Sequence, residues 1–134
     1  MSGSVDFFFK DRISENSVVA FFNRHIEQGV ESLECPKPEA ALFLQYFEYD
    51  SGFHQCAGLA WGLSDFEMDD VVMAQQLAKE FSTEVLFEPQ HLNLPTGMQW
   101  CLAKQDGSLC AVSIIELNDG LDVVGDAVLI DSAD

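Results

Sequence analysis

The sequence predicts an α+β domain, a mostly antiparallel sheet with two helices packed on one face. Three observations predict it. Only two stretches of the chain carry helical spacing. The remaining apolar runs are joined by short turn signals, and an alternating parallel arrangement would need more crossover helices. The 134 residues are 48% hydrophobic and include 11 Phe, enough for one real core in a single domain spanning 1–134.

Val5 to Phe9 reads as a short strand. Ser14 to Ser17 offers helix caps, and Val18, Phe22 and Ile26 recur at near-helical spacing, with Gly29 as a stop. Glu31 to Glu39 is an acidic loop broken by Pro36 and Pro38. Ala41 to Tyr49 and Cys56 to Leu63 form a hairpin around Asp50-Ser51-Gly52, with Gly58 and Gly62 marking a bulge or a close approach. Ser64 and Glu67 form an S-x-x-E capping box ahead of a second helix, whose apolar face is Met68, Val71, Val72, Leu77, Ala78 and Phe81. Glu84 to Phe87 is a strand, and Pro89 to Gly97 a loop. Met98 to Gln105 and Ser108 to Glu116 flank Asp106-Gly107, the strongest hairpin signal in the chain. Asn118-Asp119-Gly120 is another turn, followed by short strands at Leu121 to Val124 and Val128 to Ile130.

The charge is the most informative feature. Asp and Glu number 23 against 6 Lys and Arg, a formal net charge of -17. Such a field destabilises the compact state and draws in cationic partners at long range. It repels nucleic acid and anionic membrane, so neither is an expected partner. No basic residue lies between Lys37 and Lys79, where Glu39, Glu48, Asp50, Asp65, Glu67, Asp69 and Asp70 fall. None follows Lys104, where Asp106, Glu116, Asp119, Asp122, Asp126, Asp131 and Asp134 fall. Helix capping, dipole complementation and a solvated tail account for part of this surplus. Internal pairing cannot neutralise the rest, because there are too few cations.

No residue pattern names a reaction. Cys35, Cys56, Cys101 and Cys110 form no C-x-x-C pair and have no His at zinc-finger spacing, so four reduced thiols are expected, with no metal or cofactor. His25 lies on the apolar side of the first helix, as a core or boundary residue. His54 with Cys56, or His91 with Cys101, could form a nucleophile pair only if the fold brought them together, and acidic surroundings oppose thiol activation. There is no phosphate loop, no G-x-S-x-G elbow and no calcium-loop spacing. The N-terminus has no signal-peptide pattern and no stretch approaches a membrane span, which makes the cytoplasm the expected compartment.

The run Met73-Ala74-Gln75-Gln76-Leu77-Ala78-Lys79-Glu80-Phe81, leading into a strand and then an Asp-Gly hairpin, sits in a small acidic helix-plus-sheet chain. In these respects the chain resembles the immunity proteins with which bacteria neutralise their own antibacterial toxins, including those of contact-dependent inhibition. The resemblance implies a non-enzymatic inhibitor, made in the producing cell and bound tightly to a toxin domain. Where the toxin is a nuclease with a basic cleft, carboxylates would occupy that cleft and pair with its Arg and Lys. The expected toxin-binding surface is Asp65, Glu67, Asp69 and Asp70 with Glu48 and Asp50, and the C-terminal acids compete for that role. A second resemblance, to acidic type III secretion chaperones, implies instead a dimer holding an unfolded effector segment. This chain departs from them in starting with a strand and ending without an amphipathic helix.

Overall fold

Alternating burial along β1 (Gly3–Phe9) sets the two layers of the fold. Val5, Phe7 and Phe9 face one side of the sheet, and Ser4, Asp6 and Phe8 the other. The computed structural model describes residues 3–62, 66–90 and 92–130. Around β1 it builds one eight-stranded sheet in the order β2-β3-β4-β1-β5-β6-β7-β8. The elements are α1 (Glu15–His25), β2 (Val30–Glu31), β3 (Leu42–Glu48), β4 (Gln55–Trp61), α2 (Asp70–Phe81), β5 (Val85–Phe87), β6 (Trp100–Ala103), β7 (Leu109–Leu117) and β8 (Gly120–Leu129). All pairings are antiparallel except β2 with β3. The fold is therefore α+β, as the sequence predicts.

Both helices lie on the face that carries Val5, Phe7 and Phe9. Val18, Val19, Phe21 and Phe22 of α1 and Ala74, Leu77 and Ala78 of α2 close a core with Leu42, Leu44, Ala57, Leu59, Val85 and Phe87. Ser14 caps α1 by accepting from the Ser17 N–H, within the predicted window, and Gly29 turns the chain at φ 87°. His25 differs from expectation. It is exposed at the last turn, and its ring lies against Phe21 at 4.3 Å between centroids.

The second helix starts later than the sequence suggests. Ser64 lies outside the described residues. Asp69 is the cap, accepting from the Val72 N–H at 3.2 Å, so Glu67 precedes the helix and forms no first turn. Phe66 and Met68 explain the delay: both pack on the helix-side core from the segment ahead of α2. Gly58 marks the close approach its sequence position suggests. A Cβ there would lie 2.7 Å from the Asp6 carboxylate, and Asp6 is its cross-strand partner.

A second core fills the opposite face. Phe8, Phe53, Cys56, Leu86, Leu102, Cys110 and Val112 are buried there, with Tyr49, Trp100, Ile114, Leu121 and Val123 packed on them. Closure requires the sheet to curl, because Phe53 comes from the β3–β4 turn and Leu121 from the β7–β8 tip. A right-handed twist accumulated over the intervening strands swings the β7–β8 hairpin across the face. The two tips then touch. Phe53 N–H donates to the Leu121 carbonyl at 2.8 Å, and Lys10 lies 3.7 Å from Asp122 and 5.2 Å from the Phe53 ring centre.

Candidate interaction surface

The curl decides which carboxylates become neighbours. Glu48 ends β3 opposite Gln55, which pairs with Phe9 at the C-terminal end of β1. Asp70 lies at the other end, because its carboxylate accepts from the Gln90 N–H at 3.0 Å while the Gln90 side chain donates to the Ser4 carbonyl. The length of β1, roughly 20 Å, separates the two groups. Of the six acids predicted as one surface, Glu48 and Asp50 stand at one end and Glu67, Asp69 and Asp70 at the other. Asp65 lies outside the described residues.

At the α2 end the acids have local work. Asp69 is the helix cap. Asp70 is only 8% exposed and holds the Gln90 backbone, so a carboxylate read as a contact group is a buried structural one. The sequence placed it correctly at a helix N-terminus, but burial depends on the 88–90 segment, which no local pattern reveals. Glu67 and Asp69 flank a groove of about 270 Å³ floored by Phe66, Met68 and Met73.

At the other end the competitor acids gather. Gly120 sits so close to the β3–β4 turn that a Cβ there would collide with the Ser51 carbonyl oxygen. Asp50 and Asp119 therefore lie in adjoining turns. Glu116, Asp119 and Asp126 are exposed and enter none of the three ion pairs among the described residues, which are Lys10–Asp122, Arg12–Glu48 and Arg24–Glu80. Asp131 and Asp134 lie outside the described residues.

The same hairpin is apolar where it should be covered. In register, Leu117 faces Gly120, Ile115 faces Asp122, Ser113 faces Val124 and Ala111 faces Val128. Cross-strand partners share a face, so Ile115, Leu117, Val124 and Val128 point to the side on which the helices lie. Yet burial on this face of the two strands stops at Leu109, Ala111 and Ile130. Beyond that point Ile115 and Val124 are each 46% exposed and Val128 43%. Sequence reading missed this because it saw two short strands where one ten-residue strand runs. Three residues, 125–127, bulge opposite Val112, with Gly125 at φ 77°. Gly125 between two apolar runs was the available signal.

Burial disfavours ionisation of two of the four thiols. Burial, with Asp6 nearby, pushes the Cys56 thiol well above its ordinary value, and burial next to Asp70 and Cys110 pushes Cys101 up to about 12. All four cysteines are free. Leu102 pairs with Cys110 and Cys101 with Ala111, so Cys101 and Cys110 face opposite sides of the sheet. His54 Nδ1 lies 3.3 Å from the Tyr49 carbonyl, and His91 falls outside the described residues. No group of three metal-ligating side chains occurs among the described residues, and no helix there is long and apolar enough to cross a membrane.

A further cleft of about 470 Å³ opens where β1 and β5 part. They pair at Phe8–Leu86 and Phe9–Val85, and beyond these rungs Asp6, Glu88, Gln90 and Trp100 line the gap. No protein family matches the chain, and neither a curated protein nor a solved structure is detectably similar to it.

Proposed function

We propose that the chain is an immunity-type inhibitor, which binds a cationic toxin domain and blocks it. The observation that carries this reading is the coincidence, on one hairpin, of unpaired carboxylates with uncovered apolar side chains. No Lys or Arg occurs after Lys104. Asp119 and Asp126 have no ion pair among the described residues, and Ile115, Leu117, Val124 and Val128 lie between and beside them; Glu116 has none either but turns to the other face with Leu121. The two features divide the work of binding. Exposed charge raises the rate of encounter with an opposite charge, and apolar burial at the centre slows release. A basic nuclease cleft is a fitting target, because carboxylates can take the places of its phosphates. The contact surface shifts accordingly from the α2 acids to the β7–β8 hairpin and the adjoining Asp50.

A secretion chaperone that holds an unfolded effector segment draws on the same uncovered apolar stripe. Size in solution separates the two, since that reading requires a dimer.

The test is inhibition. A basic toxin nuclease encoded beside this chain, assayed with this protein at molar excess, is expected to lose its activity, and finding such a gene next to this one is the first step of the test. Association should slow by on the order of tenfold or more between low and physiological salt. Full toxin activity at saturating protein overturns the reading.

A further inference from the structure

We infer that the uncovered face of the β7–β8 hairpin receives one amphipathic, cationic α-helix of the partner, which extends the helix layer of this fold. The inference rests on the reading of the hairpin as the contact surface and names what the partner brings to it.

The geometry selects a helix. Helices α1 and α2 already cover the same sheet face, and burial there ends at Ala111 and Ile130. What remains open is two strands wide, about 10 Å across, the diameter of one helix. The open rungs run from Leu117–Gly120 to Ser113–Val124, and beyond them Val128 is exposed on β8 while its partner Ala111 is buried. Along β7 that is roughly 13 Å, the rise of a helix of about 9 residues. A sheet face with an apolar stripe is stably buried by another layer, and a helix is the layer this fold already uses.

Edge pairing is the competing geometry, and β8 is built against it. Ile130 N–H donates to the Leu109 carbonyl, so alternation turns the backbone groups of Leu129 away from β7. The Leu121 carbonyl also faces outward and is already taken by Phe53. Between these positions the bulge at 125–127 breaks the edge, a device that prevents strand addition.

Charge selects the occupant. A second copy of this chain would bring the same surplus of anions to the face, and its two helices carry between them only Arg24 and Lys79 as fixed cations. A cationic helix instead sets Lys or Arg against Asp119 and Asp126 while its apolar stripe covers Ile115 and Val124.

The experiment uses the full chain and a capped Leu/Lys peptide patterned as an amphipathic helix. Controls are a scrambled peptide of the same composition, a Leu/Glu version and an alternating Val/Lys strand peptide. Methyl resonances of Ile115, Val124 and Val128 should shift saturably with the helical peptide, and the peptide should gain helicity on binding. The scrambled peptide should bind at least about tenfold more weakly, and the Leu/Glu version should not bind. Val124→Glu and Val128→Lys change exposed positions, and an unchanged urea midpoint confirms that each variant is folded. Each should weaken binding, the first by breaking the apolar stripe while adding an anion, the second by repelling the peptide. Three results overturn the inference. One is equal affinity for helical and scrambled peptides. Another is preference for the strand peptide with slowed exchange of the Leu129 amide. The third is self-association that masks the same methyl groups. If these occur while the toxin is still inhibited in a salt-sensitive way, the proposed function survives and only the helix docking fails.

Discussion

Replacing Gly52 by Ala should separate the two hairpin tips. Gly52 has φ 68°, and a Cβ there would collide with the Leu121 carbonyl oxygen and come within 2.8 Å of its carbon. Both are backbone atoms, so no rotamer change relieves the clash. Two effects add. The left-handed conformation costs Ala about 1–2 kcal/mol. If the tip then moves away, the Phe53–Leu121 hydrogen bond is lost, at about 1 kcal/mol. Phe53, now 1% exposed, loses part of a burial worth about 1.5–3 kcal/mol in full. The Lys10–Asp122 pair is exposed and adds little. The expected total is about 3–5 kcal/mol. Gly97→Ala is the matched control: its φ is 86° and no atom lies within 4 Å of the added Cβ, so only the conformational cost applies. Urea denaturation of both variants isolates the docking contribution as a difference of about 2–3 kcal/mol. Equal midpoints for Gly52→Ala and Gly97→Ala, at the same m-value, would refute the claim that the tips are locked together.

The buried thiols should respond slowly to reagents. In native protein Ellman's reagent should label Cys35 readily, with Cys56, Cys101 and Cys110 reacting only after denaturant is added. The same burial gives a pH dependence. A thiol whose folded value is raised contributes stability that is whole below its ordinary value of 9.0 and is lost as pH climbs toward about 12 for Cys101. Alkaline unfolding should therefore steepen above about pH 9 and flatten in Cys101→Ala, as measured by urea midpoints across pH. Asp70→Ala should cost about 1.5–3 kcal/mol by removing the hydrogen bond between a buried carboxylate and the Gln90 N–H, whereas Glu67→Ala should stay within about 0.5 kcal/mol. Moderate sodium chloride should raise the melting temperature, since the surplus anions repel one another; a melting temperature independent of salt would contradict that account.

Local chemistry made much of this fold legible. Ser14 reads as a cap, Asp106-Gly107 as a tight turn in which the Asp106 carboxylate accepts from Ser108 N–H, and Val18, Phe22 and Ile26 as a buried stripe. What failed was long-range. Val30–Glu31 pairs in parallel with β3, and a two-residue strand next to a proline-broken loop leaves no periodic trace. Asp69 displaced Ser64 as the cap because packing of Phe66 and Met68 fixes where the helix begins. The predicted surface divided for the same reason. Glu48 and Asp50 are drawn to Asp119 by a twist spread over several strands, and Asp70 is buried by a residue 20 positions away. Charge counts carry no information about either event.

The division of the carboxylates bears on how the field can act. The Debye length at physiological salt is about 8 Å, and the two acidic ends stand roughly 20 Å apart. Exposed charges at one end are therefore screened from a partner docked at the other. Each end must hold a partner with its own contacts, while the whole surplus acts only at low salt, during approach. At the α2 end, Asp69 and Asp70 are committed to helix capping and to Gln90, which leaves Glu67 beside a small methionine-floored groove. At the hairpin end, Asp119 and Asp126 serve no local hydrogen bond or ion pair among the described residues, and an apolar stripe lies between them. Screening thus turns a question about total charge into one about local surplus, and by that measure the hairpin, with Asp50 beside it, is where a cationic protein would be held once it arrives.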